Sequence, residues 1–310
     1  MTEDTCTLTF MGTGTSQGVP IIGCNCPTCR STDPRDKRFR SSALVRWQGM
    51  DILVDAGPDF RSQMLRAGVS HLDGILLTHN HRDHTGGLDD VRSLNYIDRQ
   101  SIDIYCEKPV AEDLMTEYPY AFAAEKYPGA PEFNLHLIDE NPFLVLPGGR
   151  DGELIWMENV GYAYRKPDGS VTPAGKTSVS RAQAPESGAA GAVVIPIRGM
   201  HGRMPVLGFR FGDTAYITDM SRIDDSELRK LTGLKYLTLN TVGYHPHHSH
   251  FSLDEALLLA GKIGAGTTYL THLSHAFPSY DDFCMELETR CRDLGVSAKV
   301  LPAYDTLTLS

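Results

Sequence analysis

The stretch that decides the fold is LLTHNHRDHTGG, residues 76–87, which follows an apolar run typical of a buried strand. Within six residues it places three histidines and one aspartate: His79, His81, Asp83 and His84. Imidazole and carboxylate groups are ligands for divalent metals of hard to borderline character. Because side chains alternate along extended chain, His79 and His81 are predicted to point the same way, while Asp83 and His84 come from the next turn. This spacing predicts a site for two metal ions rather than one.

Composition and charge exclude several classes of function. The chain has 310 residues of ordinary globular composition and a net charge of −10, from 29 Lys and Arg against 39 Asp and Glu. An acidic chain is poorly suited to binding long nucleic acid, which depends on many contacts of Lys and Arg with phosphates. The sequence has no apolar run that approaches a membrane span of about 18 residues, and its N-terminus does not resemble a signal peptide. We therefore expect a cytoplasmic protein that binds neither membranes nor long nucleic acid.

A cysteine cluster forms a second candidate metal site. Three of the seven cysteines, Cys24, Cys26 and Cys29, lie in the segment CNCPTC. An odd number of cysteines with three so close together favours metal binding in a reducing compartment over a disulfide framework. Three thiolates suit a tetrahedral zinc, and a structural site needs a fourth ligand, which this segment does not supply. The alternative is three reduced cysteines in a loop.

Residue patterns predict strands and helices along the whole chain. The predicted strands are 7–11, 42–47, 51–57, 74–77, 101–106, 134–138, 143–146, 193–198, 206–211, 214–219, 236–240 and 268–275. The predicted helices are 60–67, 88–98, 111–124, 253–263 and 280–294. We interpret residues 1–310 as one domain with an excursion at about 127–192. Within it, the Gly-, Ser- and Pro-rich part from Lys166 to Gly191 is predicted to be a long insertion.

Candidate ligands end several of these strands. They are Asp55, His79, His201, Asp219 and His272. Active sites in sheet proteins gather at strand ends, where loops converge, so these side chains are expected to form one site. Asp55 is a candidate for orienting a metal-bound histidine, although it could equally cap the next helix. Four more histidines lie in HPHHSH, residues 245–250.

At this point the residues resemble the metallo-β-lactamase superfamily. The HxHxDH box of that superfamily matches residues 79–84, and its later His, Asp and His positions match His201, Asp219 and His272 in order and spacing. The resemblance implies an α+β fold, the αββα sandwich, in which two mixed β-sheets lie face to face with helices on the outside. It also implies a metal site at one edge, between the sheets.

More narrowly, the chain resembles the PhnP-like branch, the phosphoribosyl cyclic phosphodiesterases. The similar pieces are GTGTSQGVP at 12–20, the cysteine cluster, SHFSL at 249–253 and THLSH at 271–275. In that branch a zinc is held by the three cysteines and the second histidine of the last motif. The resemblance therefore implies that His275 is the fourth ligand of a structural zinc with Cys24, Cys26 and Cys29.

The resemblance also implies a ligand set for two catalytic ions, Zn or Mn. One ion is assigned to His79, His81, His201 and a bridging Asp219, and the second to Asp83, His84, His272 and the same Asp219. Two ions ~3.5–4 Å apart can share a nucleophilic hydroxide and neutralise phosphoryl oxygens. His250 is the candidate general acid or phosphate-binding donor, and Asp83 is also a candidate for orienting the nucleophile. The expected substrate is a small cyclic phosphate or a nucleotide-like phosphodiester.

Four rival interpretations stay open. A tRNA 3′-processing endonuclease of the same superfamily would need a basic arm that grasps RNA, and the segment 166–191 is only mildly basic. A redox or cofactor-biosynthesis metalloprotein could use the same ligands with iron. Thiolester or lactam hydrolysis suits the same metal core, and a non-catalytic zinc-stabilised binding protein is the fourth alternative. The sequence also leaves a homodimer open.

Overall fold

A computed structural model of the chain describes residues 5–123, 125–127, 129–147, 153–157, 161–165, 171–173, 178–185 and 191–310. Its strands are β1 (Thr7–Gly12), β2 (Ser42–Trp47), β3 (Met50–Val54), β4 (Gly74–Leu76), β5 (Ile102–Cys106), β6 (Phe133–Leu137), β7 (Phe143–Val145), β8 (Glu153–Met157), β9 (Gly161–Arg165), β10 (Val171–Pro173), β11 (Ser178–Arg181), β12 (Ala192–His201), β13 (Met204–Phe211), β14 (Thr214–Tyr216), β15 (Tyr236–Asn240), β16 (Thr267–Thr271), β17 (Val300–Pro302) and β18 (Thr308–Leu309). Its α-helices are α1 (Pro27–Arg30), α2 (Phe60–Ala67), α3 (Arg82–Thr85), α4 (Arg92–Asp98), α5 (Lys108–Glu117), α6 (Asp225–Leu228), α7 (Leu253–Ile263) and α8 (Tyr280–Asp293). Short 3₁₀ turns cover Pro34–Asp36, Leu88–Val91, Pro119–Ala121 and Arg229–Leu231.

Two mixed sheets contain most of the strands. The first has the order β11-β6-β5-β4-β3-β2-β1-β18 and the second β17-β16-β15-β14-β13-β12-β7. In each sheet one half is antiparallel, from β18 to β3 and from β7 to β14, and the other half is parallel. Parallel neighbours require crossover connections, which place helices on the outer faces. Strands β8 to β10 form a separate antiparallel sheet.

Burial follows the alternation of side chains along each strand. On β3, Ile52 and Val54 lie in the core shared by the two sheets, where Phe209 of β13 is also buried. Leu53 lies instead in the core between the first sheet and α2, α4 and α5. The outer face of the second sheet packs in the same way against α7 and α8. The layers therefore run helix, sheet, sheet, helix, which confirms the predicted αββα sandwich.

Helix α7 shows how the sequence produces one of these layers. Ser252 caps its N-terminus in a capping box, in which Glu255 accepts a hydrogen bond from the Ser252 backbone N–H, and Gly264, with a φ of 69°, caps its C-terminus. Left-handed backbone at a helix end favours glycine. Its buried residues recur at the spacing of one helical face: Leu253, Ala256, Leu257 and Ala260. This apolar face fixes the helix to the second sheet.

Several predicted elements differ from the structure. The helix predicted at 88–98 is a 3₁₀ turn followed by α4, and the helix predicted at 111–124 begins at Lys108 and ends at Glu117. The last predicted strand ends at Thr271 rather than at residue 275, because His272 adopts a φ of 57°.

Part of the predicted insertion at 166–191 forms a regular strand. Ser178–Arg181 forms β11, which pairs in parallel with β6 at the edge of the first sheet. Residues 166–170, 174–177 and 186–190 lie outside the described residues. The division into one domain stays a prediction. Among the described residues, no helix is both long and apolar enough to cross a membrane.

Two adjacent leucines of α7 test this packing. Leu257 is fully buried, whereas the side chain of Leu258 is 52% exposed. We expect Leu257→Ala to lower the free energy of unfolding by about 2–5 kcal/mol through lost burial and a cavity, and Leu258→Ala to change it by about 0.5 kcal/mol or less. Urea unfolding followed by circular dichroism measures both values. Equal losses for the two variants would contradict the assigned inner face of α7.

Candidate metal centre and zinc site

Three candidate ligands end strands in an unusual backbone conformation. Asp55 follows β3, Asp219 lies three residues after β14, and His272 follows β16, with φ values of 61°, 57° and 57°. Asp and His are among the residues that tolerate this left-handed region, and such strained residues cluster at functional sites. The chain therefore turns sharply at each strand end, which brings the three side chains toward one edge of the sandwich.

Close backbone packing fixes the position of the histidine-rich turn. The N–H of Ala56 donates to the carbonyl oxygen of His84 over 2.8 Å. The N–H of Gly87 donates to the carbonyl oxygen of Ala56 over 2.9 Å. A Cβ on Gly57 would lie 2.0 Å from the carbonyl oxygen of Asp83, so only glycine fits there. The motif is therefore held against the end of β3 by its own backbone.

Asp55, the residue predicted to orient a metal-bound histidine, is a buried hydrogen-bond acceptor for His84. Its carboxylate accepts hydrogen bonds from the backbone N–H of Thr78 (2.9 Å), from the Thr78 hydroxyl (2.9 Å) and from His84 Nδ1 (2.7 Å). This leaves Nε2 of His84 facing the other side chains of the site. Thr78 also contacts Nδ1 of His79 over 2.9 Å. The sequence analysis missed Thr78, which is the residue just before the first histidine.

The carboxylate of Asp219 lies at the centre of the site. Its oxygens are 3.3 Å from His84 Nε2, 3.0 Å from His272 Nε2 and 3.7 Å from His250 Nδ1. The hydroxyl of Thr218 donates to it over 2.6 Å, a second contact that the sequence analysis missed. The carbonyl oxygen of Asp219 accepts from Nδ1 of His201 over 3.0 Å, which leaves the other ring nitrogen of His201 free to bind a ligand.

Burial and charge decide the protonation of these groups. Burial raises the pKa of Asp219, but the charges of His272 and His84 outweigh it and hold that pKa well below its usual range. Burial lowers the pKa of His84, but Asp219, Asp55 and Asp83 together raise it well above its usual range. Three carboxylates thus surround one imidazole, and their negative charge favours cations at this point.

The remaining imidazoles complete the cluster. The ring of His79 lies 4.6 Å from that of His81 and 5.5 Å from that of His201, and His81 and His201 are 5.0 Å apart. Burial lowers the pKa of His79 and of His201, so both are neutral, the form that binds metals. Nε2 of His79 and Nδ1 of His272 are buried without a hydrogen-bond partner among the described residues. Since buried polar atoms are normally partnered, these donors fit bound metal ions.

The structure brings together one predicted ligand set fully and the other in part. Within the described part of the chain, Asp83, His84, Asp219 and His272 have ligand atoms within 4.8 Å of one another, as predicted for the second ion. The ligand atoms of His201, Asp219 and His250 also lie within 4.8 Å of one another. Two of these residues, His201 and Asp219, are predicted ligands of the first ion, and the rings of the other two, His79 and His81, lie next to that of His201. His250 therefore lies beside Asp219.

The predicted structural zinc site is also assembled. The Sγ atoms of Cys24, Cys26 and Cys29 lie 3.3, 3.5 and 3.7 Å from Nδ1 of His275. The backbone N–H of Cys29 donates to Sγ of Cys26, and this hydrogen bond is the main reason that the pKa of Cys26 falls to about 6. A thiolate is the form that binds zinc. The four donor groups fit a tetrahedral zinc, and their role as its ligands stays a prediction.

Comparison with known families identifies the class of protein. Residues 50–151 and 161–273 match the model of the beta-lactamase superfamily domain. The chain therefore belongs to this family, the metallo-β-lactamase superfamily.

A solved structure places it more narrowly. The chain is similar to the crystal structure of a new diphosphatase from the PhnP family, with 31% identity, a TM-score of 0.74 and coverage of 99% of this chain and 98% of that one. It therefore lies in the PhnP-like branch, as the motifs predict.

Two curated relatives show how widely this fold is used. An octanoyltransferase of Porphyromonas gingivalis is 35% identical over 275 residues, which are 88% of this chain and 47% of that protein. The chain thus spans less than half the length of that relative. A ribonuclease Z of Streptomyces avermitilis is 27% identical over 299 residues, covering 88% of this chain and 92% of that protein.

Asp55 offers a test of the site that leaves the proposed ligands intact. We expect Asp55→Asn to keep the fold, since Asn tolerates the left-handed backbone, and to weaken metal binding about 10- to 100-fold because His84 loses its charged acceptor. Competition with a chromophoric chelator measures the affinity. Asp103→Asn is the control, because Asp103 is a half-buried aspartate of β5 that pairs with His136. Unchanged affinity in Asp55→Asn would contradict a role for the Asp55 charge in preparing His84 to bind a metal ion.

Proposed function

We propose that the chain is a metal-dependent phosphodiesterase that cleaves a small cyclic phosphate or a nucleotide-like phosphodiester. The observation that carries this proposal is the position of Asp219, whose carboxylate contacts His84 and His272 and lies beside His250. A carboxylate shared between two groups of donors suits two cations side by side, the arrangement used in many phosphoester hydrolases. The similarity to a diphosphatase of the PhnP family supports chemistry at phosphorus.

The proposed ligands divide between two divalent ions, Zn or Mn, with Asp219 shared. The first ion is assigned to His79, His81, His201 and Asp219, and the second to Asp83, His84, His272 and Asp219. When bound, such ions would activate a water molecule for attack and neutralise charge on the phosphoryl oxygens. The chain's own contribution is to hold the donors in place, through Asp55 on His84 and Thr78 on His79.

His250 is the proposed donor to the substrate. Its ring stacks on that of His272 at 4.6 Å and lies 4.7 Å from that of His201. Burial, followed by the charge of His272, lowers the pKa of His250 to about 3. A neutral imidazole still has one N–H to donate, so this environment favours a hydrogen bond to a phosphoryl or leaving-group oxygen over protonation of that oxygen by an imidazolium. Asp83 is proposed to orient the attacking water.

A second candidate is tRNA 3′-processing, because the ribonuclease Z relative matches over 92% of its length. The net charge of −10 argues against it, since RNA binding depends on cationic side chains. Thiolester hydrolysis and redox chemistry are also compatible with the donor set and are assigned lower priority.

A substrate panel separates these functions. Purified protein loaded with Mn²⁺ or Zn²⁺ is assayed against bis(p-nitrophenyl) phosphate, cyclic nucleotides, cyclic ribose phosphates, precursor tRNA and an acyl thiolester, with oxygen uptake as a redox readout. We expect turnover of the small phosphodiesters and none of tRNA or the thiolester. Cleavage of precursor tRNA alone would establish the second candidate, and oxygen uptake without hydrolysis would exclude both.

A variant of His250 tests its role as donor. We expect His250→Ala to keep both catalytic metal ions and to lose about 10²- to 10³-fold in kcat on a diester with a poor alkyl leaving group, because a hydrogen-bond donor to the leaving-group oxygen is lost. The loss should be smaller on a p-nitrophenyl ester, which leaves unaided. Metal content by mass spectrometry and steady-state rates on the two esters measure this. His245→Ala is the control, since His245 is an exposed residue of the same segment. Loss of one metal ion would instead identify His250 as a ligand.

A further inference from the structure

The three strand-end residues with left-handed backbone are each followed by a peptide N–H that is held by a hydrogen bond. They are Asp55, Asp219 and His272. The N–H after each of them donates over 2.8 or 2.9 Å: Ala56 to the carbonyl oxygen of His84, Leu273 to that of Thr13, and Met220 to Oδ1 of Asn240. Residues in this conformation persist only where their surroundings fix them. The acceptor after Asp219 is a side chain, so a substitution can remove it.

Asn240 binds both polar groups of the Met220 backbone. Its Oδ1 accepts from the N–H of Met220, and its Nδ2 donates to the carbonyl oxygen of Met220, each over 2.9 Å. Asn240 is the last residue of β15 and is fully buried, so bulk water does not compete for these hydrogen bonds. The first bond fixes the plane of the peptide that joins Asp219 to Met220. It therefore also fixes the direction in which the Asp219 side chain leaves the backbone.

The same carbonyl oxygen of Met220 connects Asn240 to His250. It also accepts from the N–H of Phe251 over 2.9 Å, and Phe251 directly follows His250. The oxygen thus receives one hydrogen bond from the Asn240 side chain and one from the backbone that carries His250. Nδ1 of His250 lies 3.7 Å from the carboxylate of Asp219. A shift of the Met220 backbone would therefore move both of these side chains.

Strand β15 contacts the backbone beside the site without supplying a proposed ligand. It lies between β14 and β16 in the second sheet. Asp219 comes after β14, and His272 directly follows β16. The N–H of Thr241, the first residue after β15, donates over 3.0 Å to the carbonyl oxygen of Thr271, the last residue before His272. The end of β15 therefore holds the backbone beside both Asp219 and His272.

We propose that Asn240 is a positioning residue of the metal centre, whose amide holds the backbone after Asp219 so that this carboxylate can be shared by two cations. The inference rests on the ligand set of the proposed function. In this role Asn240 contacts neither a metal ion nor the substrate. Because Asp219 is assigned to both ions, loss of the amide should weaken the binding of both. Because His250 is held through the same carbonyl oxygen, its position should change as well.

Two substitutions separate a positioning role from a packing role. Asn240→Leu keeps the number of heavy atoms and their branching but makes no hydrogen bond. Asn240→Ala leaves room for a water molecule that can bond the same N–H and carbonyl groups. We therefore expect Asn240→Leu to weaken Mn²⁺ binding about 10- to 100-fold, and Asn240→Ala to weaken it less. A packing role predicts the reverse order, because alanine leaves a cavity.

Electron paramagnetic resonance of the protein titrated with Mn²⁺ measures both the affinity and the geometry. The signal of free Mn²⁺ gives the affinity, and spin coupling between two bound Mn²⁺ ions reports that they share ligands. The thiolates of the cysteine cluster suit Mn²⁺ poorly, so they do not contribute. We expect a coupled signal in the wild type and its loss in Asn240→Leu. Leu135→Ala is the control, because Leu135 is a fully buried core residue of β6, and its loss lowers stability without removing a hydrogen bond at Met220.

The outcomes distinguish this inference from the proposed function. A coupled signal that persists in Asn240→Leu, a larger loss in Asn240→Ala, or an equal loss in Leu135→Ala would overturn the inference alone. A wild type without a coupled signal would overturn the pair of ions in the proposed function, and the inference with it. Circular dichroism checks that each variant is folded. Asn240→Val, a residue type that suits a strand, replaces Asn240→Leu if that variant is not folded.

Discussion

The buried carboxylate of Asp219 is the group on which the arrangement of the site depends. It comes from the second sheet, yet it contacts His84, which follows a strand of the first. A fully buried carboxylate is costly unless positive charge or hydrogen bonds compensate for it, and here two histidines and Thr218 do so. The contact therefore holds the two halves of the sandwich together at one edge. Any cation bound there would be shared by both sheets, because its ligands are divided between them.

This division of the donors between the two sheets explains why an αββα sandwich suits a site that binds cations. The first sheet contributes Asp55 and the histidine-rich turn, and the second contributes His201, Asp219 and His272. Each group ends or follows a strand that has residues buried in the apolar cores. Packing fixes the positions of the strands, and it thereby also fixes the positions of the polar side chains at their ends. Left-handed backbone at three of these positions is a local strain that the surrounding packing sustains.

The sequence predicted the parts of the site that a local pattern encodes. The spacing of His79, His81, Asp83 and His84 is visible in six residues, and the later candidate ligands were proposed because each ends a predicted strand. Thr78, Thr218 and Gly57 were not predicted, since a threonine that supports a ligand and a glycine that allows close approach have no distinctive local pattern. The pairing of β11 with β6 was missed for a related reason: residues 178–181 are exposed, so no apolar alternation marks them as a strand. His275 was predicted as a zinc ligand only through a family resemblance, because nothing in the cysteine segment indicates a fourth ligand so far along the chain.

That distance has a consequence for how the chain folds. Cys24 and His275 are 251 residues apart in sequence, and the hydroxyl of Thr28 donates to the carbonyl oxygen of Phe277 over 2.7 Å beside them. By analogy with a cross-link of that span, a zinc ion at this point would remove conformational freedom from the unfolded chain worth on the order of 5 kcal/mol. Contacts of such long range form late, because the chain between them must first be ordered. During synthesis Cys24, Cys26 and Cys29 therefore wait until residue 275 has emerged, and the same closing step brings His272 to the candidate metal centre. The two candidate metal sites are thus expected to be completed together.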